Sequence, residues 1–91
     1  MLALKTLLSH NPDCPVREIG DGLVIMAPQG ETTHSLDGIG AFIWNEIDGT
    51  KDLTAILEAI LANYDVDRET AQADLLQFTE EMVAAELLIT S

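Results

Sequence analysis

Turn-forming residues cut the first third of the chain so finely that it leaves no room for a helix of ordinary length. Asn11-Pro12-Asp13, Gly20-Asp21-Gly22 and Pro28-Gln29-Gly30 stand only a few residues apart, and intervals of that size suit strands. Val16 to Ile19 and Leu23 to Ala27, either side of Gly20-Asp21-Gly22, read as a hairpin whose glycines supply positive φ without a Cβ clash. Glu31 to Leu36 adds a third strand, polar for most of its length because Thr32, Thr33, His34 and Ser35 stand in a row.

Beyond Leu36 the apolar period changes from two to 3.6. Asp37 is placed to cap a first helix, with Leu36 and Ala41 as a hydrophobic staple, and the helix runs through Ile39, Phe42, Ile43 and Ile47 to a stop at Asp48-Gly49. Asp52 caps a second helix whose stripe is Leu53, Ile56, Leu57, Ile60, Leu61 and Tyr64. After Asp65-Val66-Asp67, a third helix capped by Asp67 runs to about Glu86. Ala71, Leu75, Phe78, Met82 and Ala85 form one apolar row on it; Leu76, Thr79, Val83 and Leu87 form a second, more than one core contact uses. Either the second row is buried as well, or it borders a groove. The expected fold is α+β and winged-helix-like: a three-stranded antiparallel N-terminal sheet followed by a three-helix bundle. Residues 1–14 precede it as an arm, and 15–91 form the domain. Leu2, Leu4, Leu7 and Leu8 could join two copies into a homodimer or fold back onto their own domain.

Ninety-one residues fit one domain, and a 47% hydrophobic share is enough for its core. Sixteen acidic residues against four basic ones give a net charge of −12, which repels both a phosphate backbone and an anionic membrane surface. Basic or neutral partners are expected, and neither nucleic acid nor membrane. With no apolar run of the roughly 20 residues that span a bilayer, no recognisable export signal and a single cysteine, Cys14, the expected compartment is the cytoplasm.

Enzymatic chemistry finds no support. His10 and His34 have no triad context beside a serine or cysteine. Two histidines and one cysteine are too scattered for a metal site. No glycine-rich phosphate loop precedes a helix, and Glu80-Glu81 point in different directions from one helix surface. The reading is a chain without catalytic residues, metal or cofactor, with Trp44 in the core.

The string from Ser35 to Trp44 (Ser-Leu-Asp-Gly-Ile-Gly-Ala-Phe-Ile-Trp), followed by Ile47-Asp48-Gly49, resembles the PqqD family: the pyrroloquinoline quinone biosynthesis protein D and its relatives. The likeness continues through Leu53, Ile56 and Ile60, then Tyr64-Asp65-Val66, Ala73-Asp74-Leu75 and Phe78, and covers about Pro15 to Ile89. Members usually carry Leu-Asn where this chain has Leu36-Asp37, an exchange that keeps a capping residue. The spacing Gly40-Ala41-x-x-Trp44 is closer to relatives in lasso-peptide and radical-enzyme peptide maturation than to the quinone pathway. The resemblance implies a peptide chaperone, a recognition element that holds the leader segment of a ribosomally made precursor for a modifying enzyme, frequently a radical S-adenosylmethionine protein. It also implies that the leader is added as a strand beside the third strand, with the third helix as the other wall.

The residues accommodate that scheme. Thr32, Thr33, His34, Ser35 and Leu36 make an edge polar enough to stay soluble while its backbone remains available. Leu76, Thr79 and Val83 are the expected lining of the trough. Asp74, Glu80 and Glu81 are placed to steer a leader carrying lysine or arginine, or are simply solvated. His34 either hydrogen-bonds the docked leader or stands exposed without a partner.

Two other functions fit parts of the sequence. Ser35-Leu36 before a helix suits an acyl-carrier-like protein, but His34 stands where such motifs carry an acid, and the first third is not helical. The second and third helices suit a DNA-binding helix-turn-helix, but the third carries Glu69, Asp74, Glu80, Glu81 and Glu86 against Arg68. A phosphopantetheinyl transferase assay is expected to leave the mass of Ser35 unchanged, and a low-salt mobility shift to show no tight DNA complex; a positive result in either assay would reverse this ranking.

Overall fold

The computed structural model describes residues 2–28, 30 and 32–90. In chain order its elements are β1 (Leu8–His10), β2 (Val16–Ile19), β3 (Gly22–Met26), β4 (Thr33–Leu36), α1 (Gly38–Glu46), α2 (Leu53–Asn63), α3 (Arg68–Ala84) and β5 (Leu88–Thr90). β2, β3 and β4 form an antiparallel sheet in that order, as the turn spacing predicts, and three helices follow. The α+β architecture is therefore the expected one. The hairpin closes through Gly20-Asp21, since Ile19 pairs with Gly22; Gly20 at φ 60 followed by a negative φ is the sign pattern of a type II′ turn. Gly22 does not take the positive φ expected of both turn glycines and is needed for a different reason: a Cβ there would lie 2.8 Å from the Leu36 carbonyl oxygen, where β3 meets the end of β4.

One face of the sheet is closed by the helices. Leu23 and Ile25 point inward from the central strand and are buried, whereas every residue of β2 is exposed. The core continues through Ala41, Ile43, Trp44 and Ile47, then through Leu53, Ile56, Leu57 and Ile60, four residues of the six-residue stripe read from the sequence; the other two, Leu61 and Tyr64, are half-buried against it. Each of the leucine and isoleucine side chains among these, fully buried, contributes about 1.5–3 kcal/mol. Phe42 and Tyr64 are half-buried and meet edge to face with centroids 5.3 Å apart.

Two of the three expected caps form. The Asp52 carboxylate accepts the Ala55 N–H at 2.9 Å, and Asp67 accepts the Thr70 N–H at 3.0 Å; the latter bond holds the Asp67 carboxyl below its usual range. Asp37 occupies the third cap position without a side-chain cap bond, because Gly38 enters α1 at φ 53 and not at a helical value.

Sequence periodicity missed the second, two-stranded sheet, β1 with β5. Of residues 1–14, expected as an arm, the described residues 2–14 lie against the domain, with Leu2 and Leu4 packed on its core. Leu8 is 1% exposed. The Thr6 and Leu4 carbonyls accept the Leu53 and Thr54 N–H groups at 3.2 and 3.0 Å, satisfying donors that the first turn of α2 leaves unpaired. His10 stacks on Trp44 with centroids 3.9 Å apart and planes 9° from parallel, and its Nε2 lies 2.7 Å from the Trp44 carbonyl oxygen. A carbonyl only accepts, so Nε2 carries the proton.

α3 ends in a Schellman motif: Leu87 N–H donates to the Met82 carbonyl and Glu86 N–H to Val83, both at 3.0 Å. Glu86 takes the left-handed position at φ 65, which ordinarily belongs to glycine. Its carbonyl accepts the Asn11 Nδ2–H at 2.7 Å, locking the start of the chain to the end of α3. Glu86→Gly keeps every one of these bonds and relieves the strained φ. It should raise Tm by a few degrees, about 0.5 kcal/mol after the added unfolded-state entropy of glycine; a lower Tm in thermal denaturation would show that the left-handed residue carries no strain.

Candidate functional site

β4 pairs with β3 alone among the described residues, so its other side is a free edge. Which main-chain groups that edge presents follows from the ladder. Ala27 N–H donates to the Thr32 carbonyl at 3.0 Å, and Met26 N–H to Pro15 on the other side of β3 at 3.0 Å. Hydrogen-bonded and non-bonded pairs alternate along an antiparallel ladder. With His34 opposite Ile25 and Leu36 opposite Leu23, His34 and Leu36 use their main-chain groups toward β3, while Thr33 and Ser35 turn their N–H and C=O groups outward.

Side chains alternate in the same register. Directly paired residues share a face, so His34 and Leu36 lie on the inner face with Ile25 and Leu23, and Thr33 and Ser35 lie on the outer face, exposed. His34 is half-buried there, with Nε2 3.3 Å from the Thr32 hydroxyl. The five residues predicted at the third strand are thus brought together, two facing inward and two offering backbone.

The predicted lining on α3 is distributed differently. Thr79 is 0% exposed, its hydroxyl donating to the Leu75 carbonyl at 2.8 Å, so it belongs to the buried row with Ala71, Leu75 and Met82 and not to an open wall. Leu76 borders a surface hollow with Arg68, Glu69, Gln72 and Ala73, and Val83 borders another with Asn11, Pro28 and Leu88. On α3 it is Phe78 that comes near the end of β4, across Gly40 of α1: from the Cβ position of Gly40, the Phe78 ring lies 3.5 Å away and the Leu36 side chain 3.8 Å. Positions 76 and 78 are about 200° apart around a helix, which puts Leu76 and Phe78 on opposite flanks of the buried row. The helical period placed Phe78 in the other apolar row, so it did not mark this residue as the neighbour of β4.

Asp74 and Glu81 stand one turn either side of Phe78. Asp74 also lines, with Ile39, a cavity of about 40 Å³ between the three helices. The ion pairs among the described residues are Lys51 with Glu46 and Arg68 with Glu58, at 3.2 and 2.6 Å, so neither Asp74 nor Glu81 has a cation beside it. Glu80 lies on the far side of the helix from Phe78.

Among the described residues no group of three or more His, Cys, Asp or Glu could hold a metal ion, and no helix is long and apolar enough to cross a membrane. Cys14 is buried; burial first, then Asp13 and Glu86, push its thiol above the ordinary range, so it stays protonated at neutral pH.

Comparison with known proteins gives the family and the fold. Two Xanthomonas proteins named "PqqA binding protein", from X. euvesicatoria pv. vesicatoria (strain 85-10) and X. axonopodis pv. citri (strain 306), are each 31% identical over 68 residues, spanning 75% of this chain and 72% of theirs. A solved structure titled "TbiB1 in Complex with the TbiA(beta) Leader Peptide" superposes with a TM-score of 0.79 at 32% identity, covering 88% of this chain and 93% of that one. Residues 22–88 match the family described as Coenzyme PQQ synthesis protein D (PqqD), and the chain belongs to that family.

Proposed function

We propose that this protein binds the leader segment of a ribosomally made precursor peptide as a fourth strand on β4 and presents it, without chemistry of its own, to a peptide-modifying enzyme in the cytoplasm. A radical S-adenosylmethionine enzyme is the expected class of partner. The observation that carries the reading is the pair of outward main-chain positions, Thr33 and Ser35, beside the inward His34, Leu36 and Phe78. It is supported by the likeness to a protein solved with a leader peptide and to proteins named for binding PqqA.

Strand addition draws affinity from main-chain hydrogen bonds, each contributing about 0.5–1.5 kcal/mol net, and specificity from pockets that receive alternate side chains. β4 supplies the donors and acceptors; Leu36, Gly40 and Phe78 supply the apolar wall. A net charge of −12, with Asp74 and Glu81 beside Phe78, favours leaders that carry lysine or arginine and makes association faster at low salt.

Proline at position 33 removes an N–H that faces the free edge and none that holds β3, so Thr33→Pro should retain the fold and lose leader binding. Phe78→Ser should weaken binding at least about tenfold, while Leu76→Ser, on the opposite flank, leaves it within a factor of two. Calorimetric titration with leader segments of short peptides encoded beside the gene, with a thermal melt of each variant, measures both. Normal leader affinity in a folded Thr33→Pro variant would place the peptide elsewhere.

A further inference from the structure

Gly40 has no structural requirement to be glycine. It lies inside α1 without a positive φ, and the atoms nearest to an added Cβ are Phe78 Cε1 at 3.5 Å and Leu36 Cδ2 at 3.8 Å, ordinary contact distances. Alanine would fit without strain and would favour the helix. Gly40 is half-buried, and the side chains nearest to the position of its missing methyl are apolar, Leu36 from the sheet and Phe78 from α3, with the neighbouring Ile39 37% exposed.

A strand added to β4 bonds to Thr33 and Ser35, so the residues of that strand opposite His34 and Leu36 are the ones that point to the inner face. They are two positions apart whichever way the added strand runs. We infer that leader recognition is set by a pair of side chains separated by one residue: a large apolar anchor seated over Gly40 between Leu36 and Phe78, and a hydrogen-bonding side chain opposite His34. The inference rests on the strand-addition reading above and adds to it the spacing of the motif and a specificity-determining residue on α1. His34 suits the second position because its ring is half-buried on the inner face and one nitrogen already meets a hydroxyl, that of Thr32 at 3.3 Å. Glycine at position 40 then exchanges helix stability for space, a trade expected where binding needs a cavity.

The test uses the full chain and synthetic peptides tiled along the short peptides encoded beside its gene. Alanine scanning of the peptide that binds should give two sensitive positions separated by one, the first large and apolar. Gly40→Ala should raise Tm and weaken that peptide at least tenfold, and it should have little further effect on a peptide whose anchor is already alanine, because both changes remove the same contact. His34→Ala should weaken the parent peptide and leave unchanged a peptide whose second position is alanine. If Gly40→Ala bound the parent peptide normally while Thr33→Pro lost it, strand addition would stand and this inference would fail. If both bound normally, or if no tiled peptide bound the wild type, the reading itself would fall and the inference with it.

Discussion

Strand β3 directs its main-chain groups alternately to β2 and to β4, and that alternation decides what the surface offers. Met26 bonds toward the β2 side and Ala27 toward the β4 side, so each residue of β3 serves one neighbour. The consequence at β4 is a division of labour between consecutive residues: His34 and Leu36 hold the sheet with their backbones and face the helices with their side chains, while Thr33 and Ser35 do the reverse. A one-residue slip would exchange these roles and turn a serine and a threonine toward the core. Leu23 opposite Leu36 prevents the slip, because both are needed on the inner face.

The rest of the domain keeps that edge in position beside α3. The three helices close the inner face of β3, and the ends of the chain are tied together around them. Asn11 and Cys14 both contact the Glu86 carbonyl, β1 pairs with β5, and His10 covers Trp44 at the end of α1. Trp44 is 2% exposed in that stack, so its environment reports on the core and not on the groove. The acidic composition leaves this framework intact because none of the described charged residues is buried, and it leaves Asp74 and Glu81 without cations on the flank that carries Phe78.

Much of this was legible in the residues. Glycine pairs and proline turns mark the hairpin and the third strand, the 3.6 period marks α2 and its buried residues Leu53, Ile56, Leu57 and Ile60, and Asp52 and Asp67 mark two helix starts. β1 and β5 were not legible, because three-residue strands show no period and Leu2 to Leu8 reads equally as a loose arm. The end of α3 was obscured by Glu86 standing where the usual signal is glycine. On α3 the wheel showed two apolar rows but not which one meets the sheet: Thr79 looked polar enough to border a groove, yet its hydroxyl satisfies itself on the preceding turn and lets the residue go fully inside. Only the packing of Phe78 over Gly40 resolves the choice.

The central claim, that β4 receives its peptide through alternate main-chain groups, is tested most directly by amide hydrogen exchange read residue by residue in the free and leader-bound protein. The Thr33 and Ser35 amides should exchange freely without the leader and become protected with it, while the His34 and Leu36 amides, already bonded to β3, change little. Leader binding that left Thr33 and Ser35 unprotected would contradict the claim.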